Sequence, residues 1–294
     1  MSRSTWTLIV ILVLLAGVAF IVLHRPGEQS TTGIGGEKLV RFDSSAVDHM
    51  EILSKEGHVV LQKESSAWVM VEPMLSPADQ GLVTSALSKA ASMEVKSIVS
   101  SNPEKQEMFQ VDSTGAFVRL AGSGHELAAF HVGKMSPSFM ETYVRNEGSN
   151  DVALVDGALR YIFVHGTADW RDHTILSVQT DIVRMIGFTY GDTTFTLARS
   201  DSAWQIDGQV VRTPVIQSFL SSLSRFTADN FIDSAITETP KINAILSIDG
   251  TEVRFCEGVT PGALRVQTSV SPQWFVVQES KTKGLLKRKR DFLE

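Results

Sequence analysis

Leu61-Gln-Lys-Glu-Ser-Ser-Ala-Trp68 and Leu197-Ala-Arg-Ser-Asp-Ser-Ala-Trp204 stand 136 residues apart and carry one pattern. In each, an apolar strand-like run ends in a polar turn, and a tryptophan opens the next strand. Such a stretch predicts a β-hairpin whose indole covers a small core. A helix-like run follows both copies, so the pair predicts an internal duplication.

Around the first copy, Val47, Met50 and Ile52, then Val59 and Leu61, then Trp68 and Met70 predict three short strands, with turns at Glu56-Gly57 and Ser65-Ser66. Pro77 and Asp79 introduce a helix with Leu82, Val83, Ala86, Leu87, Ala90 and Ala91 on one face. Strands are expected over residues 117–120, 127–132, 142–145 and 152–155, and a short helix around Leu159 to Val164 closes the unit. The second copy repeats this order. Thr213-Pro214 reads as a cap followed by a first-turn proline, and Val215, Ile216, Phe219, Leu220, Leu223 and Phe226 supply an apolar helix face. Four more strands follow between Ala244 and Val277, then a terminal helix at about 280 to 290.

The uncharged run of residues 6–23 is long enough to cross a bilayer core. No small-x-small cleavage site follows it, which favours an uncleaved anchor over a signal peptide. Residues 25–38 have the glycine-rich, polar composition of a tether. The expected class is therefore α+β: an N-terminal transmembrane helix followed by two tandem repeats of an antiparallel sheet with a packed helix. The expected division is an anchor over 1–24, a linker over 25–40, a first unit over 41–176 and a second unit over 177–294 with a basic C-terminal helix.

The run Trp68-Val-Met-Val-Glu-Pro73, Pro77-Ala-Asp79 before the helix, Thr142-Tyr-Val-Arg145, and Ala168-Asp-Trp-Arg-Asp-His-Thr-Ile-Leu176 carry a resemblance. From about Phe42 to Phe231 the chain resembles the bacterial family called domain of unknown function 4340, and the C-terminal portion diverges from it. The resemblance implies a membrane anchor and an accessory role beside ABC-type export systems related to gliding-motility auxiliary proteins. It also implies a globular part on the periplasmic or extracytoplasmic side of the bacterial cytoplasmic membrane. It brings no catalytic residues.

A formal charge of -6 over 294 residues gives no basic field for nucleic acid. The single cysteine, Cys256, excludes an intrachain disulfide framework and a cysteine-rich zinc site. The seven histidines show no His-Glu-x-x-His pattern; His125 and His131 share a strand face but lie about 20 Å apart, too far for one metal. No Gly-x-Ser-x-Gly elbow occurs. No catalytic, cofactor-binding or metal-binding residue is therefore assigned.

Two stretches remain as candidate interaction sites. Trp170 and Arg171, flanked by Asp169 and Asp172, read as a packed indole beside an arginine paired with a neighbouring carboxylate. Lys287, Arg288, Lys289 and Arg290 close a basic run suited to an acidic partner, anionic lipid, or a solvated helix end. The expected role is a non-enzymatic accessory or interaction subunit of an envelope complex such as an ABC-type exporter, touching the membrane through residues 6–23. The alternatives are a tethered binding module for an envelope polymer or lipid and, less favoured, an envelope hydrolase.

Overall fold

The computed structural model describes residues 36–294 apart from Ser202 and Val259. The chain divides into two compact units whose boundary falls between Trp170 and Arg171, rather than after Leu176.

Strands β1 (Glu37–Lys38), β2 (His49–Ser54), β3 (Gly57–Glu64), β4 (Ala67–Glu72), β5 (Ser76–Pro77), β6 (Glu94–Ser100), β7 (Ala116–Gly122), β8 (His125–Met135), β9 (Glu141–Asn146) and β10 (Val152–Asp156) build the first unit. They form one antiparallel sheet in the order β1-β6-β10-β9-β8-β7-β2-β3-β4-β5. The quoted hairpin lies between β3 and β4. Glu64 pairs with Ala67 and Lys63 with Trp68, and Ser65 turns the chain at φ 56°. Helix α1 (Gln80–Ala91) begins at Asp79, whose carboxylate accepts from Leu82 N at 2.8 Å. Its Val83, Ala86, Leu87 and Ala90 pack in one core with Met50, Leu61, Trp68 and Phe130. The Gln80 amide locks helix to hairpin: Trp68 N donates to Gln80 Oε1 and Gln80 Nε2 donates to Trp68 O, both at 2.8 Å.

The second unit contains β11 (Thr174–Ser177), β12 (Met185–Tyr190), β13 (Thr194–Ser200), β14 (Ala203–Ile206), β15 (Gln209–Val210), helix α2 (Thr213–Ser224), β16 (Arg225–Thr227), β17 (Asn230–Ile232), β18 (Ile242–Ile248), β19 (Thr251–Glu257), β20 (Ala263–Thr268) and β21 (Trp274–Gln278). Its main sheet runs β15-β14-β13-β12-β18-β19-β20-β21-β17. Read from the β5 end, the first nine strands of the first sheet have the same order, and β1 has no counterpart among the described residues. Arg199 pairs with Trp204 as Lys63 does with Trp68, and Asp201 turns at φ 52°.

One edge differs. In the first unit β6 is continuous and takes both β1 and β10 as neighbours. Its counterpart is severed into β16, which pairs only with β11, and β17, which pairs with β21. The break falls at Ala228 and Asp229. Ala228 N donates to His173 O, and Asp229 N donates to Val276 O while its carboxylate accepts from Gln278 N.

These findings correct the expected class. The described protein is mostly β, in three antiparallel sheets, rather than α+β. Each unit has one twelve-residue helix, and the remaining helices are pieces of three to five residues. The terminal helix expected over 280–290 is two short pieces, Glu279–Thr282 and Lys289–Leu293. Between them Gly284 lies so close to Ser222 that a Cβ there would sit 2.8 Å from its hydroxyl oxygen. Arg212, not Thr213, caps α2, and its side chain makes no capping bond.

The segment expected as an anchor lies outside the described residues. Among the described residues no helix is long and apolar enough to cross a membrane. Twelve residues span only about 18 Å of a core about 30 Å thick. The expectation of a single-pass membrane protein at the bacterial cytoplasmic membrane is therefore not supported.

Trp68 and Trp204 are each 6% exposed. Trp68→Ala and Trp204→Ala should each destabilise the protein by about 3–5 kcal/mol, measured by denaturant unfolding. A loss below about 1 kcal/mol in either would contradict the placement of both indoles in the cores.

Candidate interaction surfaces

Trp170 is fully buried in the first core, edge-on to His165 at 5.6 Å, and its carbonyl accepts from Asp79 N at 2.9 Å. It therefore supports the cap of α1. Arg171 is 3% exposed within the second unit. Its partner is Asp233, not the adjacent Asp169 or Asp172: Nη1 lies 2.9 Å from both carboxylate oxygens, and Nη2 donates to Gln273 Oε1 at 3.0 Å. The guanidinium lies 3.6 Å from the centre of the Phe231 ring. Asp169 and Asp172 instead accept from the local backbone amides of Gly166 and Thr174. Neither candidate presents a free side chain for a partner.

The basic run is also largely committed within the second unit. The Lys287 carbonyl accepts from Tyr190 Oη at 2.6 Å, and Arg288 lies 3.8 Å from the centre of that ring and 3.8 Å from Asp192. Burial pushes the Tyr190 phenol up to about 12. Lys289 pairs with Asp207 at 2.6 Å, and Arg290 lies 3.9 Å from Asp291. Phe292, fully buried, packs against Phe188, Phe195 and Phe219 and seats the segment on the core. Arg288, Lys289 and Arg290 each lie beside a carboxylate, which lowers the positive potential that the run presents.

A pair of adjacent, exposed apolar side chains marks another surface of the first unit. In the β8–β9 hairpin, Phe139 and Met140 are 73% and 69% exposed, and Tyr161 is 73% exposed. Phe139 has φ 60°, a left-handed conformation that is unfavourable for a bulky side chain. A network of polar bonds holds it there. Ser136 N donates to Glu141 O and Phe139 N to Ser136 O. The Glu141 carboxylate accepts from Ser136 Oγ at 2.8 Å and from Ser138 Oγ, and Lys96 Nζ lies 3.2 Å away. Gly157 N donates to Met140 O, and Leu159 N donates to Thr142 Oγ1. These bonds stitch the loop before the Tyr161 helix to the hairpin. The sequence signal for it is Phe139-Met140 directly after Ser136-Pro137-Ser138, in a turn where polar residues are expected. At the matching β19–β20 hairpin stand exposed Thr260 and Pro261.

Among the described residues no group of His, Cys, Asp or Glu is arranged to hold a metal ion. Cys256 is buried, and burial pushes its thiol upward.

The family described as Domain of unknown function (DUF4340) matches residues 68–244. No curated protein and no solved structure matches the chain.

Hydrogen bonds from Ser138 and Ser136, then the Lys96 ammonium, hold the Glu141 carboxyl down at about 2. Because the folded value is depressed, its contribution to hairpin stability is complete above the ordinary carboxylate range and disappears as pH falls through about 2. A carboxyl carbon NMR titration should place the Glu141 midpoint near 2, and Glu141→Gln should speed amide exchange at Ser136 and Phe139. An ordinary midpoint would show that the clamp does not hold in solution.

Proposed function

We propose, for a chain that belongs to the family Domain of unknown function (DUF4340), a non-enzymatic role as an interaction subunit of a larger protein assembly. An accessory place in an ABC-type export system is the assembly that the family resemblance implies. The observation that carries this reading is the β8–β9 tip. A protein that exposes Phe139 and Met140 on a strained, hydrogen-bonded turn keeps one stiff aromatic anchor and one adaptable thioether beside it in position for a partner. Strain at an exposed aromatic contributes nothing to the core, so its retention fits a recognition role. The matching turn of the second unit has Thr260 and Pro261 instead, which makes the first unit the recognition unit.

The full chain carrying Phe139→Gly and Met140→Ser tests this. Glycine accepts the left-handed turn, so thermal unfolding should stay within about 1 kcal/mol of wild type. Affinity purification from the native host should recover a stoichiometric partner with wild type and at least about ten-fold less with the variant, equivalent to roughly 1.4 kcal/mol. Equal recovery by both would assign recognition elsewhere.

A further inference from the structure

The face of the first sheet opposite α1 carries a groove of about 580 Å³, separate from the β8–β9 tip. Three cross-strand neighbours form its floor: Leu53 pairs with Phe117, and Phe117 with His131. Leu53 is half exposed, and the Phe117 and His131 rings lie 5.0 Å apart. The loop before β7 supplies Asp112 and Ser113 to the wall, and Lys55 supplies an ammonium at the rim.

The charges of this groove are already engaged. His131 Nε2 lies 2.6 Å from Glu147 Oε2, and Arg145 Nη2 lies 3.8 Å from the same oxygen. Asp112 Oδ1 accepts from Thr114 Oγ1 and Thr114 N, and the hydroxyl bond holds that carboxyl below its ordinary range. An anion entering the groove would meet two carboxylates. A cation would have to compete with His131 and Arg145 for Glu147 and would face Lys55. What is left to a ligand is hydrogen-bonding capacity: the second oxygens of Asp112 and Glu147, the Ser113 hydroxyl and the exposed Lys55 ammonium, which lies 3.8 Å from Glu56 and keeps donors to spare, set around an apolar floor. That combination suits a neutral molecule with one C–H-rich face and several hydroxyl groups.

We propose that this groove is a binding site for a neutral saccharide unit. The ring lies with its C–H face on Leu53 and Phe117, and its hydroxyls donate to Asp112 and Glu147 and accept from Lys55. No covalent step is involved. His131 acts as a positioning residue that fixes the Glu147 carboxylate.

Saturation-transfer NMR on the full chain tests the site with a panel of neutral disaccharides built from glucose, galactose, mannose or N-acetylglucosamine, against glucuronate and glucosamine as charged controls. At least one neutral probe should saturate, with both charged sugars at least about ten-fold weaker, a margin of roughly 1.4 kcal/mol. Leu53→Ala, at an exposed position that the fold tolerates, and Asp112→Asn should each reduce the affinity of that probe by about three-fold or more, the loss of one modest contact. Lack of saturation by every neutral probe would overturn the proposal. So would preference for a charged sugar, or binding unchanged by both substitutions.

Discussion

The register of one two-residue hairpin in each unit sets what the rest of the chain can bury. Because side chains alternate across a strand, a slip of one residue would move Trp68 or Trp204 from the core to solvent and take every neighbour on its strand with it. The turn fixes that register. Ser65 and Asp201 adopt a positive φ, so β3 meets β4 and β13 meets β14 with the same pairing, Lys63 to Trp68 and Arg199 to Trp204. The main chain of each tryptophan then directs the helix that follows. Ala78 N donates to Trp68 O and Val211 N to Trp204 O, which brings α1 and α2 to equivalent positions over their own sheets. In the first unit Gln80 adds a side-chain amide to this junction; in the second, the junction relies on apolar contact and on the Phe292 cluster.

With the framework settled this way, the two units diverge where the framework is least involved. The hairpin between β8 and β9 is remote from the tryptophan junction, and there the first unit holds Phe139 in a strained exposed turn while the second has Thr260 and Pro261. The outer face of the first sheet is likewise released from core duty. It carries a row of charged side chains in which Glu51 reaches both His58 at 3.0 Å and Arg119 at 2.9 Å, beside the groove floored by Leu53 and Phe117. A duplicated scaffold thus lets one copy take up surface chemistry that the other lacks.

Much of the scaffold was legible from residue periodicity. The alternation through Met50, Ile52, Val59 and Leu61 and the helix face at Val83, Ala86, Leu87 and Ala90 match buried positions. The strand after α1 was not legible, because Ile98 and Val99 stand in succession and break the period of two, and Val99 is skipped in the pairing with β10. Its severed counterpart at β16 and β17 was harder still, since the break depends on hydrogen bonds from Asp229 to Val276 and Gln278 on a strand distant in sequence. The class differs from α+β because edge strands as short as β1, β5 and β15, which no period of two marks, add to the sheets while each unit has one long helix. The candidate sites fared differently. Nothing near Arg171 in the sequence identifies Asp233 as its partner, and a basic run gives no hint of acidic residues that only folding brings beside it.

The centre of each sheet has a kinetic meaning. β2 lies against β7, and β12 against β18, although a hairpin, a helix and an edge strand intervene in the chain; Met50 is paired with Leu120 and Phe188 with Leu246. Every other neighbour near the centre is joined by a short turn and can form locally. The central ladder must instead close a loop containing the whole tryptophan hairpin and its helix, which carries the largest entropic cost in the unit. Each half can therefore assemble as a meander first, with closure of the seam between them the step that loop entropy opposes most.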